Sequence, residues 1–244
     1  MKKKILLLLI IFISSCCKED DTALVCISDC TVVQGQIVTS NGKPLANIPI
    51  EFRHNSSRPY SSSIRRIKKA TTDENGYYNM EFFIESDELG SEAKGHFELI
   101  IDYSRLNGDV YMNNSPFYDI NISSINSRDT TITMDFYNPK KAYITVNLNG
   151  FNPSTGDDYF RLESFFPSGI KSEKNNIWGF DYLLGYGTSY EATSANSKID
   201  SVLVAENDNN WVSIRRRKDG VGLMDQDTIF FVPENNTIEL NFTY

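Results

Sequence analysis

Apolar residues recur at every second position over short runs along most of this chain. In residues 47–53 the apolar side chains are Ile48, Ile50 and Phe52; in 96–103 they are Phe97, Leu99, Ile101 and Tyr103; in 130–137 they are Ile132, Met134 and Phe136. A period of two puts one row on a core and the other in water, the spacing of a half-buried strand. Clusters of Asn, Gly, Ser and Asp separate the runs, and no segment of ten or more residues carries a convincing helical stripe. The pattern predicts an all-β protein built from antiparallel sandwich sheets.

Tyr137-Asn138-Pro139-Lys140-Lys141 interrupts the alternation, and a new run starts at Ala142 with Ile144, Val146 and Leu148. The boundary between two consecutive β-sandwich domains, 31–137 and 138–244, is placed there. Strands are expected at 158–166, 201–205, 211–217, 228–232 and 237–244, with 206–210 as a hairpin turn, because Asn and Asp tolerate left-handed backbone. Residues 129–137 and 236–244 echo each other, each with Thr-Ile near its start, alternating apolar residues and an aromatic end. Two sandwiches that each close on a similar central strand would explain the echo, although any half-buried strand has this look.

The amino terminus changes the picture from fold to address. Lys2, Lys3 and Lys4 precede an apolar run from Ile5 to Ile13, the charged and apolar regions of a secretory signal, too short to span a bilayer as a helix. Ile13-Ser14-Ser15-Cys16 resembles a lipobox, which makes residues 1–15 the signal peptide and Cys16 the lipidated residue. Cys16-Cys17-Lys18-Glu19-Asp20-Asp21 also resembles the export signal of Bacteroidota-type surface lipoproteins. The resemblance implies an outer-membrane protein held by lipid, on the cell surface, with 16–30 as a tether.

Removing the signal moves the formal charge from −8 to −11. So acidic a body argues against binding nucleic acid or an anionic lipid surface by general electrostatics, and leaves membrane attachment to the acyl chains. All four cysteines precede residue 31. An oxidising compartment favours a Cys26–Cys30 disulfide across Ile27-Ser28-Asp29, with Cys17 left over. Free thiols are one alternative and a metal site another, but a two-cysteine pair would find only His54 and His96 as histidine partners.

Three segments carry a family resemblance: Val33-Gln34-Gly35-Gln36-Ile37-Val38, then Asn41-Gly42-Lys43-Pro44-Leu45, then Thr71-Thr72-Asp73-Glu74-Asn75-Gly76-Tyr77-Tyr78. In order and spacing they are similar to the carboxypeptidase regulatory-like domain family. The resemblance implies a transthyretin-like sandwich over 31–137, a role as spacer or binding accessory, and no catalytic residues to carry over. Physically, Asn41-Gly42 supplies positive φ for a tight turn, and Asp73 is placed to bond the backbone ahead of Gly76. Residues 55–69, with basic Arg65, Arg66, Lys68 and Lys69, form an insert relative to the family pattern. Residues 138–244 resemble no named family.

Catalytic chemistry finds little support. Neither His54 nor His96 lies in a recognisable motif, and the acid pairs Asp157-Asp158 and Asp225/Asp227 read as turn residues. Asp208 and its asparagine neighbours lack the spacing of a known calcium loop, so no metal and no cofactor are assigned. The richer signal is aromatic: Trp178, Phe180, Tyr182 and Tyr186 lie in a stretch broken by Gly179, Gly185 and Gly187. Rings on such a loop would stack on a glycan or peptide ligand. Their alternative fate is burial beneath the loop. The basic runs 65–69 and 215–218 read as solvated rows that protect edge strands, or as receivers of acidic groups. The function expected is non-catalytic binding of a glycan or peptide at the cell envelope, with a structural role, docking on a membrane or surface protein partner, as the alternative.

Overall fold

The computed structural model describes residues 26–58, 61–91, 93, 95–112, 117–172, 179–195 and 198–244. In chain order the strands are β1 (Thr31–Thr39), β2 (Lys43–Pro44), β3 (Pro49–Arg58), β4 (Ser61–Thr71), β5 (Tyr77–Phe82), β6 (His96–Asp102), β7 (Phe117–Ile122), β8 (Thr131–Thr133) and β9 (Phe136–Tyr137). They continue as β10 (Lys141–Asn149), β11 (Tyr159–Lys171), β12 (Tyr182–Ala192), β13 (Lys198–Ala205), β14 (Asp208–Lys218), β15 (Val221–Gly222), β16 (Gln226–Val232) and β17 (Glu239–Thr243). The protein is all-β, and the expected alternation is visible as burial: β1 reads buried and half-buried at successive residues throughout.

Apolar side chains collect in two main clusters. The first is filled from β1 and β5 on one side and from β3 and β6 on the other, with Phe52 stacked on Phe82 at 4.8 Å and on Phe97 at 5.5 Å. The second lies between β10 and β13, of the three-stranded sheet β13-β10-β17, and β11 and β14. Backbone pairing does not stop at residue 138. The two residues of β9 pair in parallel with β1 and antiparallel with β11, so a continuous path of strands runs from one half to the other.

The echo between the two closing segments has a structural counterpart. β8 and β9 run parallel to β1, and β17 runs parallel to β10, so each half ends hydrogen-bonded along the strand with which it began. The expectation of two central closing strands is corrected in one case: β17 lies at the edge of its sheet. The supposed insert at 55–69 is the far half of a β3–β4 hairpin, in which Glu51 takes Arg66 and Lys69 of the edge strand.

Gly35 shows why the first strand needs a glycine. A Cβ there would lie 1.7 Å from the Met134 carbonyl oxygen, and its absence leaves room for the Tyr78 hydroxyl to donate to that same oxygen at 2.8 Å. The Thr-Asp-x-x-Gly turn closes as its residues imply: Asp73 accepts from the amides of Asn75 and Tyr77, and Gly76 has a φ of +74°. Asn41 and Gly42 both have positive φ in the turn between β1 and β2.

The turn at 206–210 joins strands of two different sheets and is therefore a corner, not a hairpin. Asn207 takes the positive φ, and fully buried Asn210 pins the corner by donating to the Ala205 carbonyl at 2.9 Å and accepting from its amide at 2.7 Å. A disulfide joins Cys26 and Cys30 just before β1, with Cα atoms 5.6 Å apart. Asn210→Ala strands two backbone groups of Ala205 and is expected to cost roughly 1–3 kcal/mol, measured as a lowered urea midpoint with an unchanged slope.

Candidate functional site

Strand β11 turns Phe160, Leu162, Ser164 and Phe166 into the protein and Phe165 outward. Register then sets what Phe165 meets. It lies opposite Tyr186 on β12 and Trp211 on β14, and Trp211 lies opposite Ile229 on β16. Directly opposed side chains on one face are close enough to touch. The Phe165 and Tyr186 rings meet edge to face at 5.4 Å, and the Phe165 and Trp211 rings stack at 4.5 Å. The row crosses four strands, a span of about 14 Å at ordinary strand spacing. Tyr186 and Ile229 keep 45% and 44% of their surface in water. One step along the strands, exposed Leu184 and Phe231 widen the strip.

Polar groups border the strip. On one side Asp227 accepts from the Trp211 indole N–H at 3.1 Å. Beyond it Arg161 pairs with Glu191, and Arg215 lies 3.8 Å from Glu163 and 3.5 Å from Asp225. These pairs correct the reading of 215–218 as an edge-protecting row, because β14 is interior to its sheet and its arginines bridge to neighbours. Arg216 donates to the carbonyls of Thr243 and Met224.

On the other side a recess of about 520 Å³ opens where β11 leaves β14 for β9. Tyr137 and Tyr182 line it, stacked at 4.9 Å, with Asp181, Asp208, Asn209 and Phe231 around them. The Tyr137 hydroxyl donates to Asp208. Burial pushes the Tyr137 phenol up, with the Asp208 charge adding to the shift. Burial also raises the Asp208 carboxyl, against the hydrogen bond from Tyr137.

The four aromatic residues singled out by sequence part company. Tyr186 is in the exposed row, Tyr182 is half-buried in the recess, and Phe180 is only 5% exposed in its wall, so its reading as a stacking surface is corrected to a wall residue. Trp178 and the lipidation candidate Cys16 lie outside the described residues. The supposed loop around Tyr182 and Tyr186 is strand β12. Its glycines permit close packing: a Cβ on Gly185 would lie 2.5 Å from the Phe166 ring, and one on Gly187 would lie 2.4 Å from the Leu203 carbonyl. Phe165 and Trp211 were missed because each sits in an ordinary alternating strand, where sequence alone does not say which row faces water.

The remaining titratable groups have structural work. Asp158 is buried, which would raise its carboxyl, but bonds from the Ser154, Gly220 and Thr155 amides and the Thr155 hydroxyl hold it well below the usual carboxylate range. It locks the turn before β11. His54 is buried beside Glu88, its Nδ1 3.3 Å from that carboxylate, while Arg65 forks onto the same group. Among the described residues no group of three or more His, Cys, Asp or Glu could hold a metal ion, and no helix is long and apolar enough to cross a membrane.

No family model matches the chain, and no curated protein matches it. Solved structures give distant resemblances. The shaft pilin spaA from Lactobacillus rhamnosus GG shares 12% identity, with 88% of this chain and 96% of that chain covered and a TM-score of 0.28. The Bacillus anthracis TIE protein shares 9% over 87% of this chain and 33% of that one, with a TM-score of 0.27. An (S)-allantoin synthase shares 12% over 44% and 40%, with a TM-score of 0.31. The chain thus spans well under half the length of these last two, and at such scores the likeness carries nothing about function.

His54 gives a pH signature. Burial lowers its imidazole below the ordinary 6.5, outweighing the pull of Glu88, so the unfolded chain binds more protons than the folded one below pH 6.5. Its contribution to stability is complete above that pH and is lost as the pH falls through and below it. Denaturant midpoints taken between pH 7.5 and 5.5 are expected to fall, and His54→Gln is expected to remove that part of the slope.

Proposed function

We propose that this chain is a non-catalytic capture protein of the cell envelope, anchored by lipid on Cys16, that binds a glycan along the outer face of β12, β11, β14 and β16. The observation that carries the reading is the cross-strand row Tyr186–Phe165–Trp211–Ile229, its three rings in contact and its two ends left partly in water. Exposed apolar patches rimmed by polar groups mark interaction sites. The shape favours a chain-like ligand: the strip is one or two residues wide, and polar side chains border it. Pyranose rings offer C–H faces to aromatic rings and hydroxyls to the bordering acceptors, the mixed recognition that aromatic residues with a polar handle provide. A globular partner would call for a broader apolar core.

In this reading the first half, with its carboxypeptidase regulatory-like motifs and the Cys26–Cys30 bridge at its start, is a spacer that carries the platform away from the anchor. The likeness of Cys16-Cys17-Lys18-Glu19-Asp20-Asp21 to a surface-lipoprotein export signal supports placement on the outer-membrane surface. The competing role, docking on a membrane or surface protein, predicts that apolar truncation on the strip would abolish a protein complex and leave polysaccharide retention unaffected.

Affinity electrophoresis of the full chain in detergent, through gels containing neutral polysaccharides, tests the reading. Trp211→Ala and Phe165→Ala are each expected to weaken retention at least tenfold, about 1.4 kcal/mol, with circular dichroism unchanged. Retention equal to that of the parent chain in both variants would refute the platform.

A further inference from the structure

The charges beside the strip are distributed unequally. In the band formed by Glu163, Asp227 and the outer pairs Glu191–Arg161 and Arg215–Asp225, four carboxylates face two guanidiniums, a formal charge of −2. The opposite side is the recess with Asp181 and Asp208, and among the described residues neither lysine nor arginine lines it. A ligand lying on Tyr186, Phe165 and Trp211 therefore has an acidic border on each side. The two arginines beside the strip, Arg161 and Arg215, are already engaged by carboxylates.

We infer that the platform selects uncharged glycans and rejects acidic ones, the uronate- or sulfate-bearing chains, through these two borders. The inference rests on the capture reading above and adds the ligand's charge class to it. The mechanism is exclusion: stacking energy depends on ring faces and is the same for a neutral sugar and its uronate, whereas a carboxylate placed over either border meets net negative charge. Discrimination by charge at an exposed surface must weaken with salt, since the Debye length shortens from about 30 Å at 0.01 M to about 8 Å at 0.15 M. The same borders disfavour pairing of two copies through this face, because each copy would bring its own acids.

Matched neutral and carboxymethylated forms of β-1,4-, β-1,3- and α-1,4-glucans supply the test, since each pair shares a backbone and differs in carboxylates. For the full chain in detergent at low ionic strength, at least one neutral glucan is expected to bind ten times or more tightly than its carboxymethylated partner, with the ratio shrinking as salt is added. The double variant Glu191→Lys/Asp225→Lys changes the band from −2 to +2 and is expected to narrow that ratio at least tenfold. Equal binding of both forms to the parent chain, lost in Trp211→Ala, would overturn the charge selection and leave the capture site standing. Failure of every glucan, neutral or carboxymethylated, to bind the parent chain would overturn both.

Discussion

The divided pairing of β11 is the constraint from which the rest of the molecule follows. Along one edge it takes β12, while on the other it takes β14 as far as Phe165 and then β9 from Gly169. No strand can hold two partners on one edge at the same residue, so the ladder must open where the partner changes, and that opening is the recess floored by Tyr137 and Tyr182. Gly169 makes the transfer sterically feasible. Its φ is +83°, and a Cβ there would lie 2.3 Å from the Tyr118 hydroxyl oxygen of the first half. Junction, recess and platform are thus consequences of one strand.

The platform depends on the same strand for its flatness of arrangement across the sheet. Phe166, one residue after Phe165, is buried with Met112 and Ala205 in a small third cluster. Buried neighbours before and after Phe165 fix the pleat, and the pleat fixes the outward ring. Aromatic pairs of this kind contribute about 0.5–1.5 kcal/mol beyond area burial, enough to hold the rings in place while part of their surface stays wet. Asp227, which receives the indole N–H, orients Trp211 from the polar side. The site is therefore built on strands, where register supplies positional accuracy that a loop would lack.

Much of the fold was legible because two-residue alternation is a local signal. The strands at 96–103, 142–148, 201–205 and 211–217 appear close to where the pattern puts them. What escaped was anything requiring knowledge of a partner. β12 read as a loop because glycine weakens strand propensity, yet Gly185 and Gly187 are there to admit the Phe166 ring and the Leu203 carbonyl. Residues 55–69 read as an insert because they depart from the family pattern, yet 61–69 lie on β4 paired with β3, where Arg66 and Lys69 meet Glu51 and Arg65 meets Glu88. Trp211 alternates with Val212 in a run where either row would pass for the core. Only the register against β11 and β16 shows which row faces water, and Tyr186 alone of the row was reachable by counting aromatics.

The parallel return of the last strand in each half bears on the order in which the chain becomes a protein. Gln36 bonds Asp135 across 99 residues, and Asn147 bonds Asn241 across 94. Neither half can complete its hydrogen-bonded frame from its amino-terminal portion alone, because the strand that closes it is synthesised last. Pairings so distant in sequence form late and slowly, after the intervening loop has been closed at an entropic cost. Each half is consequently held open until its own closing strand arrives, β8 and β9 for the first and β17 for the second.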